Sequence, residues 1–443
     1  MLVFIWRAET RRHHRLRYFA AASRGMMGND QATGAGADEP EIVIGSREQL
    51  LHLLAEAAEI EHALMSSYLY AAFSLKRAGE PGVSEAHGEA LERWRRTIIN
   101  VAVEEMGHLV MVANLTVAVG GRPHFGCPNF PVSPGYFPSD VALRLTAFTA
   151  ETLEHFIFLE RPQGLDGEDS DAFAQDDYQR EQARPGLMPS AQDYATIGHL
   201  YEAIRANLTA LDRHLGSDAL FLGGAESQLG RDAIDLEAVN PITDLSAANA
   251  AIDLVVEQGE GSPSDREVSH YRSFLAIQEE LAEMTRTGPG FAPAWPVADS
   301  PVLRRPPELD GKVFIDHPKA AVLLDFACAT YGLLLRCLVQ CFGRPGTDRQ
   351  AQQKKLVSVA IDLMHVLSEA STKLARLPAT KESDAVHAGM TFTMLRGVEP
   401  LLPGEVERLL LRERAADLAR AGEGLGGRAA EALRRACETL MRF

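Results

Sequence analysis

Inside the apolar run VAVEEMGHLVMVANLTVAVGG, residues 101 to 121, a glutamate and a histidine stand three residues apart. No other feature constrains the fold of this chain as much. Three residues is roughly one helical turn, so the carboxylate of Glu105 and the imidazole of His108 project from the same face of a helix. Ile98, Val101, Glu105, His108 and Val112 follow one helical stripe, which a folded helix turns inward against its neighbours. A charged carboxylate in a core costs several kcal/mol unless it is paired or bound to a metal. The pair therefore serves either as a buried His–Glu hydrogen bond or as part of a ligand set. The remaining ligands of such a set would have to come from other helices.

Composition bounds the class. With 443 residues, 46% hydrophobic and 24% charged, the chain is long enough for two or three cores. A net charge of −17 and an isoelectric point near 5.3 argue against nucleic acid and against an anionic membrane as partners, because both require a cationic surface. No apolar run is expected to reach the roughly 18 to 20 residues of a membrane helix. The five cysteines, Cys127, Cys328, Cys337, Cys341 and Cys437, are odd in number, form no C-x-x-C and sit mostly in apolar helical text. They are expected to be reduced core residues of a cytoplasmic protein.

Residues 1–45 are expected to lie outside the fold. Six arginines (Arg7, Arg11, Arg12, Arg15, Arg17, Arg24) face a single acid, Glu9, without the apolar stretch of a secretory signal. An Arg-rich transit peptide is one reading. A tail without structure, or a start set too early with Met26 or Met27 as the natural beginning, is the preferred one. The following Gly/Asp/Ala-rich segment cannot bury enough apolar surface to order itself.

Helical text begins at Ser46, an N-cap with Gln49 three residues on. Leu50, Leu54, Ala57, Glu61, Leu64, Tyr68 and Ala72 form its stripe, which puts Glu61 inward, whereas Glu56 and Glu59 fall off the stripe and are expected in solvent. A second long helix runs from about Glu89 to Val119 and ends at Gly120 and Gly121. Residues 121–191 read as a long crossover. Its Pro- and Gly-rich start is irregular, a helix follows from about Val141 to Leu159, and an acidic surface loop completes it. The third bundle helix, near residues 193–215, carries Glu202, which either reaches the centre between the small residues Gly198 and Ala206 or pairs with Arg205 in solvent.

The fourth helix begins near Asp244 and is interrupted at GEGSPSD, where Ser262 and Pro263 signal a restart. A continuous helix would separate Glu260 from His270 by about 15 Å along its axis, too far for one metal. A bulge at the interruption brings them back within a turn. Glu257 competes with Glu260 for the carboxylate role, and Glu260 is preferred because its glycine neighbours let backbone pack closely. The count is then Glu61, Glu105, His108, Glu202, Glu260 and His270. Four carboxylates and two histidines make the ligand set of di-iron and di-manganese helix bundles. Two iron ions are the expected cofactor, with manganese as the alternative. Tyr68, seven residues beyond Glu61, and Tyr201, beside Glu202, are expected to border the metals as catalytic side chains.

EEMGHL, GG-x-P (Gly120, Gly121, Pro123), FIFLERP, TIGHLYEAI, VVEQGEG and SHYRSF resemble the ferritin-like proteins related to iminophenyl-pyruvate dimer synthase, the type found in violacein biosynthesis. The resemblance covers about residues 46–285. It implies a ferritin-like domain and, in that family, oxidative coupling of an amino-acid-derived imine. The chain lacks the bulk of the large violacein-pathway enzyme, and its interrupted fourth helix departs from a generic ferritin.

The expected architecture is all-α. It comprises a ferritin-like four-helix bundle over 46–287 with a long crossover, a Pro-rich connector over 288–318 and a C-terminal helical region over 319–443. That last region should hold helices near 320–342 and 351–377 and a shorter one beyond Pro403. Cys337 and Cys341, spaced four apart without a nearby histidine, read as core, as does His365. No Gly-rich phosphate loop or nucleophile elbow is present. The expected function is a di-iron oxidoreductase that uses dioxygen on a small substrate. The alternatives are an iron-binding or storage protein without an organic substrate, and a metal-free helical scaffold.

Overall fold

The computed structural model describes residues 42–443 apart from 133–135, 138–141, 166, 174–193, 195, 260–268, 289, 310, 345, 395 and 397. Helix α1, Arg47–Ser74, starts where the capping signal placed it, with Ser46 Oγ accepting the Gln49 N–H at 3.2 Å. The packed chain begins slightly earlier. Ile42 and Ile44 are buried, and Asn207 bonds the backbone of both. Helix α2, Glu85–Ala118, begins one turn before the expected Glu89 because Ser84 caps it, and it ends at Gly120, whose φ of 92° favours glycine. Helix α3 spans only Ala150–Leu159. Its expected start near Val141 is corrected by Thr149, whose hydroxyl caps the helix, while residues 142–148 run non-helical and the Phe148 N–H is given to Ser74 Oγ at 2.9 Å.

Thr196 caps α4, Ile197–Leu215, which a single turn, α5 (Ser217–Leu220), follows. The fourth bundle position is filled by two helices, α6 (Leu245–Gly259) and α7 (His270–Thr287). The second of these is capped by Ser269, seven residues beyond the Ser262 signal, which itself lies outside the described residues. The C-terminal region holds α8 (Pro318–Val339), α9 (Arg349–Leu374), α10 (Glu405–Ala421) and α11 (Gly427–Met441). The single short helix expected beyond Pro403 is thus two, separated at the glycine-rich sequence GEGLGG. No β-strand occurs among the described residues, only isolated bridges.

Helix α1 is the axis of this arrangement. It packs against α2 and α4 within the bundle and against α9 of the C-terminal region, and 20 of its 28 residues are buried, so both of its faces are interior. Helix α2 contacts α6 and α7, α4 packs on α6, and α3 lies on α7. In the C-terminal region α9 packs between α8 and α11, and α10 lies on α8 and α11. Residues 288–317 are laid along the body. The Lys76 and Trp295 amides bond to Pro293 and Ser74 carbonyls at 2.8 Å each, Tyr70 donates to the Ala298 carbonyl, and Ser300 donates to Leu145 at 2.8 Å.

Among the described residues, two helices, α2 and α8, are long and apolar enough to cross a membrane, contrary to the expectation from inspecting apolar runs. In each, most of the most apolar 18-residue window (72% and 67%) is buried inside the protein, which accounts for its apolarity.

Candidate metal centre

Glu61 leaves the inner face of α1 and meets Glu105 and His108 of α2. His108 Nδ1 donates to Glu105 Oε2 at 3.1 Å and lies 3.4 Å from Glu61 Oε2. From α4 the Tyr201 hydroxyl donates to Glu61 Oε1, and on the far side of the ring His108 Nε2 donates to Gln258 Oε1 of α6 at 2.8 Å. A second group repeats this pattern. His270, the first residue of α7, places Nδ1 2.9 Å from Glu105 Oε1 and 3.4 Å from Glu160 Oε2. Tyr68 of α1 donates to Glu160 Oε1, and His270 Nε2 donates to Glu104 Oε2 at 2.8 Å.

Glu105 belongs to both groups. In each group one ligand atom per residue can be chosen so that all lie within 4.8 Å of one another, and all five side chains are buried. The two imidazole rings stack at 5.7 Å with an interplanar angle of 29°. The Tyr68 ring is wedged edge-on between Phe156, at 4.6 Å, and Phe274, at 5.1 Å, which fixes its hydroxyl on Glu160.

The charges of the group depend on one another. Burial raises the Glu61 carboxyl to about 8, and the neighbouring Glu105 carboxylate adds to the rise. Burial would also raise Glu105, but the His108 and His270 imidazoles outweigh it and hold Glu105 well below the usual range. Conversely, burial would lower both imidazoles, yet Glu105 lifts His108 to about 10, and Glu105 with Glu160 lifts His270 well above its ordinary value. Burial, then the adjacent carboxylates, push the Tyr68 and Tyr201 phenols far up, so both stay neutral donors. Without a metal, therefore, protons on the imidazoles compensate the buried carboxylates.

Three observations fit the site to a pair of cations. Glu61 Oε2 and His270 Nδ1 are buried with no hydrogen bond of acceptable geometry, an expensive state in a core. The donors are carboxylate oxygens and imidazole nitrogens, the set that suits iron and manganese. Backbone also makes room. A Cβ on Gly259 at the end of α6 would stand 3.3 Å from Glu160 Oε2, so only glycine brings the helix this close without pushing the carboxylate aside. The cavity among these residues measures about 20 Å³, and Leu64, Leu159, Ile197 and Val255 form the apolar part of its lining. That is room for ions or a small guest.

The structure brings together Glu61, Glu105, His108 and His270 of the sequence-derived set, with Tyr68 and Tyr201 bonded to its carboxylates. Glu202 is a correction. Tyr201 occupies the inward position, and Glu202, about 100° further round the helix, is 43% exposed and paired with Arg205 at 3.2 Å. Glu260 lies outside the described residues, and its competitor Glu257 is exposed. The group also contains a carboxylate that the sequence reading passed over, Glu160. It closes the stripe Leu153, Phe156, Glu160 at the C-terminal end of α3, where the helix dipole disfavours an acid, and that local conflict was the available signal. Glu56 and Glu59 are corrections as well. Glu56 is buried, and burial raises it to about 7. Glu59 accepts from His124 Nε2 and the Tyr136 hydroxyl, at 2.9 Å each, beside a separate cavity of about 280 Å³.

A family model described as ferritin-like matches residues 54–279, the span that carries every member of this centre. The chain belongs to the ferritin-like family. Within reach of this ferritin-like chain are two curated relatives. Dichlorochromopyrrolate synthase of Lentzea aerocolonigenes is 31% identical over 363 residues, covering 72% of this chain and 33% of the relative. The 2-imino-3-(indol-3-yl)propanoate dimerase of Chromobacterium violaceum is 27% identical over 361 residues, covering 76% and 33%. The chain thus spans about a third of the length of these relatives. A solved ferritin-like protein from Caulobacter vibrioides is 18% identical with a TM-score of 0.45, covering 74% of this chain and 96% of that one.

Proposed function

We propose that this ferritin-like chain is an oxidative enzyme that holds two iron ions at Glu61, Glu105, His108, Glu160 and His270 and uses dioxygen to oxidise a small imine derived from an amino acid. The observation that carries this reading is the sharing of Glu105 between two buried ligand groups of matching composition. The imine class is taken from the printed activity of the dimerase relative. Manganese suits the same donors. Iron held by these residues would supply the redox chemistry toward dioxygen.

The chain's own residues prepare the centre. Tyr201 and Tyr68 each bind one oxygen of a terminal carboxylate, Glu61 or Glu160, and so orient its other oxygen. Gln258 and Glu104 retain the Nε2 protons of His108 and His270, which leaves both Nδ1 atoms turned toward Glu105. Leu64, Leu159, Ile197 and Val255 line the cavity beside the carboxylates with apolar surface, which disfavours water on that side. We also place the chain in the cytoplasm, a setting consistent with five unpaired cysteines.

The test is oxygen uptake by the Fe(II)-loaded full chain, with aromatic amino acids and their imino acids offered in turn. Uptake that rises with one imino acid and yields a product of twice its carbon skeleton less two hydrogens is expected. Uptake confined to iron oxidation, indifferent to every organic compound and accompanied by growing ferric mineral, would replace this reading with storage.

A further inference from the structure

Among the described residues, the two halves of the centre match residue for residue except at one point. Each has a terminal carboxylate held by a tyrosine, Glu61 by Tyr201 and Glu160 by Tyr68, and each has an imidazole facing Glu105. What differs is the group behind the imidazole. His108 Nε2 meets the neutral amide oxygen of Gln258, whereas His270 Nε2 meets the carboxylate of Glu104, both at 2.8 Å.

Resting on the metal-binding reading above, we infer that the halves are unequal toward metal, and that Glu104 makes the Glu160/His270 half the one that fills first. A carboxylate behind a ligating imidazole fixes its tautomer and raises its donor strength, and such partners change metal affinity by about 10- to 100-fold. An amide oxygen fixes the same tautomer but brings no charge. Proton competition does not cancel the difference. A divalent ion that replaces a proton at Nδ1 carries twice its charge and gains correspondingly more from the Glu104 carboxylate. Glu104 is 40% exposed, so water weakens this attraction, but the hydrogen bond through which it acts ends on a ring that is 1% exposed. Glu104 and Gln258 are thus positioning residues. Neither belongs to the two ligand groups, and each acts through a histidine.

The experiment titrates the metal-stripped full chain with Co(II), followed by calorimetry and by the visible absorption of the bound ion. Two resolved steps of one ion each are expected, the first at least about tenfold tighter. His270→Ala should remove the tight step and His108→Ala the weak one. Glu104→Gln, which keeps shape and removes charge, should weaken the first step by about 10- to 100-fold and leave the second in place, so that the steps merge. Gln258→Glu should tighten the second step instead. A shift of both steps together in Glu104→Gln, two equal steps in the unaltered chain, or loss of the tight step in His108→Ala rather than His270→Ala would overturn the inference while leaving metal binding intact. Absence of any Co(II) binding by the unaltered chain would overturn the metal-binding reading itself.

Discussion

Two buried charged clusters lie in different parts of this molecule, and they are built on opposite plans. Among the C-terminal helices, Arg344 and Glu407 form a two-armed ion pair, with Nη1–Oε1 at 2.5 Å and Nη2–Oε2 at 3.0 Å. Gln340 Nε2 adds a third bond to Glu407 at 2.7 Å, and Gln352 takes the remaining edge of the guanidinium at 2.9 Å. Donors and acceptors there saturate one another. In the bundle, by contrast, three carboxylates converge on two imidazoles, and buried atoms of Glu61 and His270 find no hydrogen bond. Burial and charge are common to both clusters. The difference is completeness. A closed pair stabilises one packing arrangement, whereas a set that keeps unbonded polar atoms in the core stays open to an added cation.

The largest effect that would test this contrast is on the closed pair. Arg344→Ala should strip Glu407 of its counter-ion and cost about 3–5 kcal/mol, read by denaturant unfolding, without changing the metal content of the folded protein. A loss below about 1 kcal/mol would show that the pair is not a closed structural unit. At the open set the expectation is reversed. Glu105→Ala removes the residue shared by both groups and should lower metal affinity by more than about 100-fold, read by elemental analysis after dialysis. Full occupancy in that variant would refute the shared-ligand assignment.

Glu56 sharpens the contrast as a third kind of buried acid, one kept in the core by taking up a proton. Its folded-state value of about 7 lies above the ordinary 4.5, because burial disfavours the charge. Below pH 4.5 the carboxyl is protonated whether folded or not, and its contribution to stability is intact. As pH rises through 7 the folded state must bear an ionised buried group, and that stability is lost. Glu56→Gln should therefore leave stability near pH 4 almost unchanged and raise it by roughly 2–3 kcal/mol near pH 8, as thermal melts at the two pH values would show. Equal gains at both would remove ionisation as the cause. The smallest effect belongs to Glu202, a half-buried acid paired with Arg205. Glu202→Ala should change stability by less than about 0.5 kcal/mol and metal content not at all, and a lost ion would restore it to the centre.

Periodicity made much of this legible. The stripes of α1 and α2 located Glu61, Glu105 and His108 because those helices are long and their inward faces are regular. His270 was found by its place after a break. Periodicity failed where a helix is short or crowded. Glu160 caps a ten-residue helix in the crossover, too brief for a stripe to stand out. Tyr201 and Glu202 are adjacent, and spacing alone could not say which of the two turns inward. Glu104 and Gln258 touch the centre only through hydrogen bonds from imidazoles, and such pairing across helices leaves no local pattern in sequence. The glutamates on the far side of α1 were misplaced for a related reason. Nothing within a helix announces what will cover its other face, here Tyr194 beside Glu56 and His124 and Tyr136 on Glu59.

The break between α6 and α7 bears on how such a site can change over time. In an unbroken helix, one added residue rotates everything after it by about 100° and carries any ligand away from its metal. Here His270 opens its own helix, anchored by Ser269 and packed through Phe274, so its direction is set from its own side of the break. The direction of this imidazole is therefore independent of the register of α6. A lineage can thus change the pitch or length of α6 without carrying this ligand away from the centre.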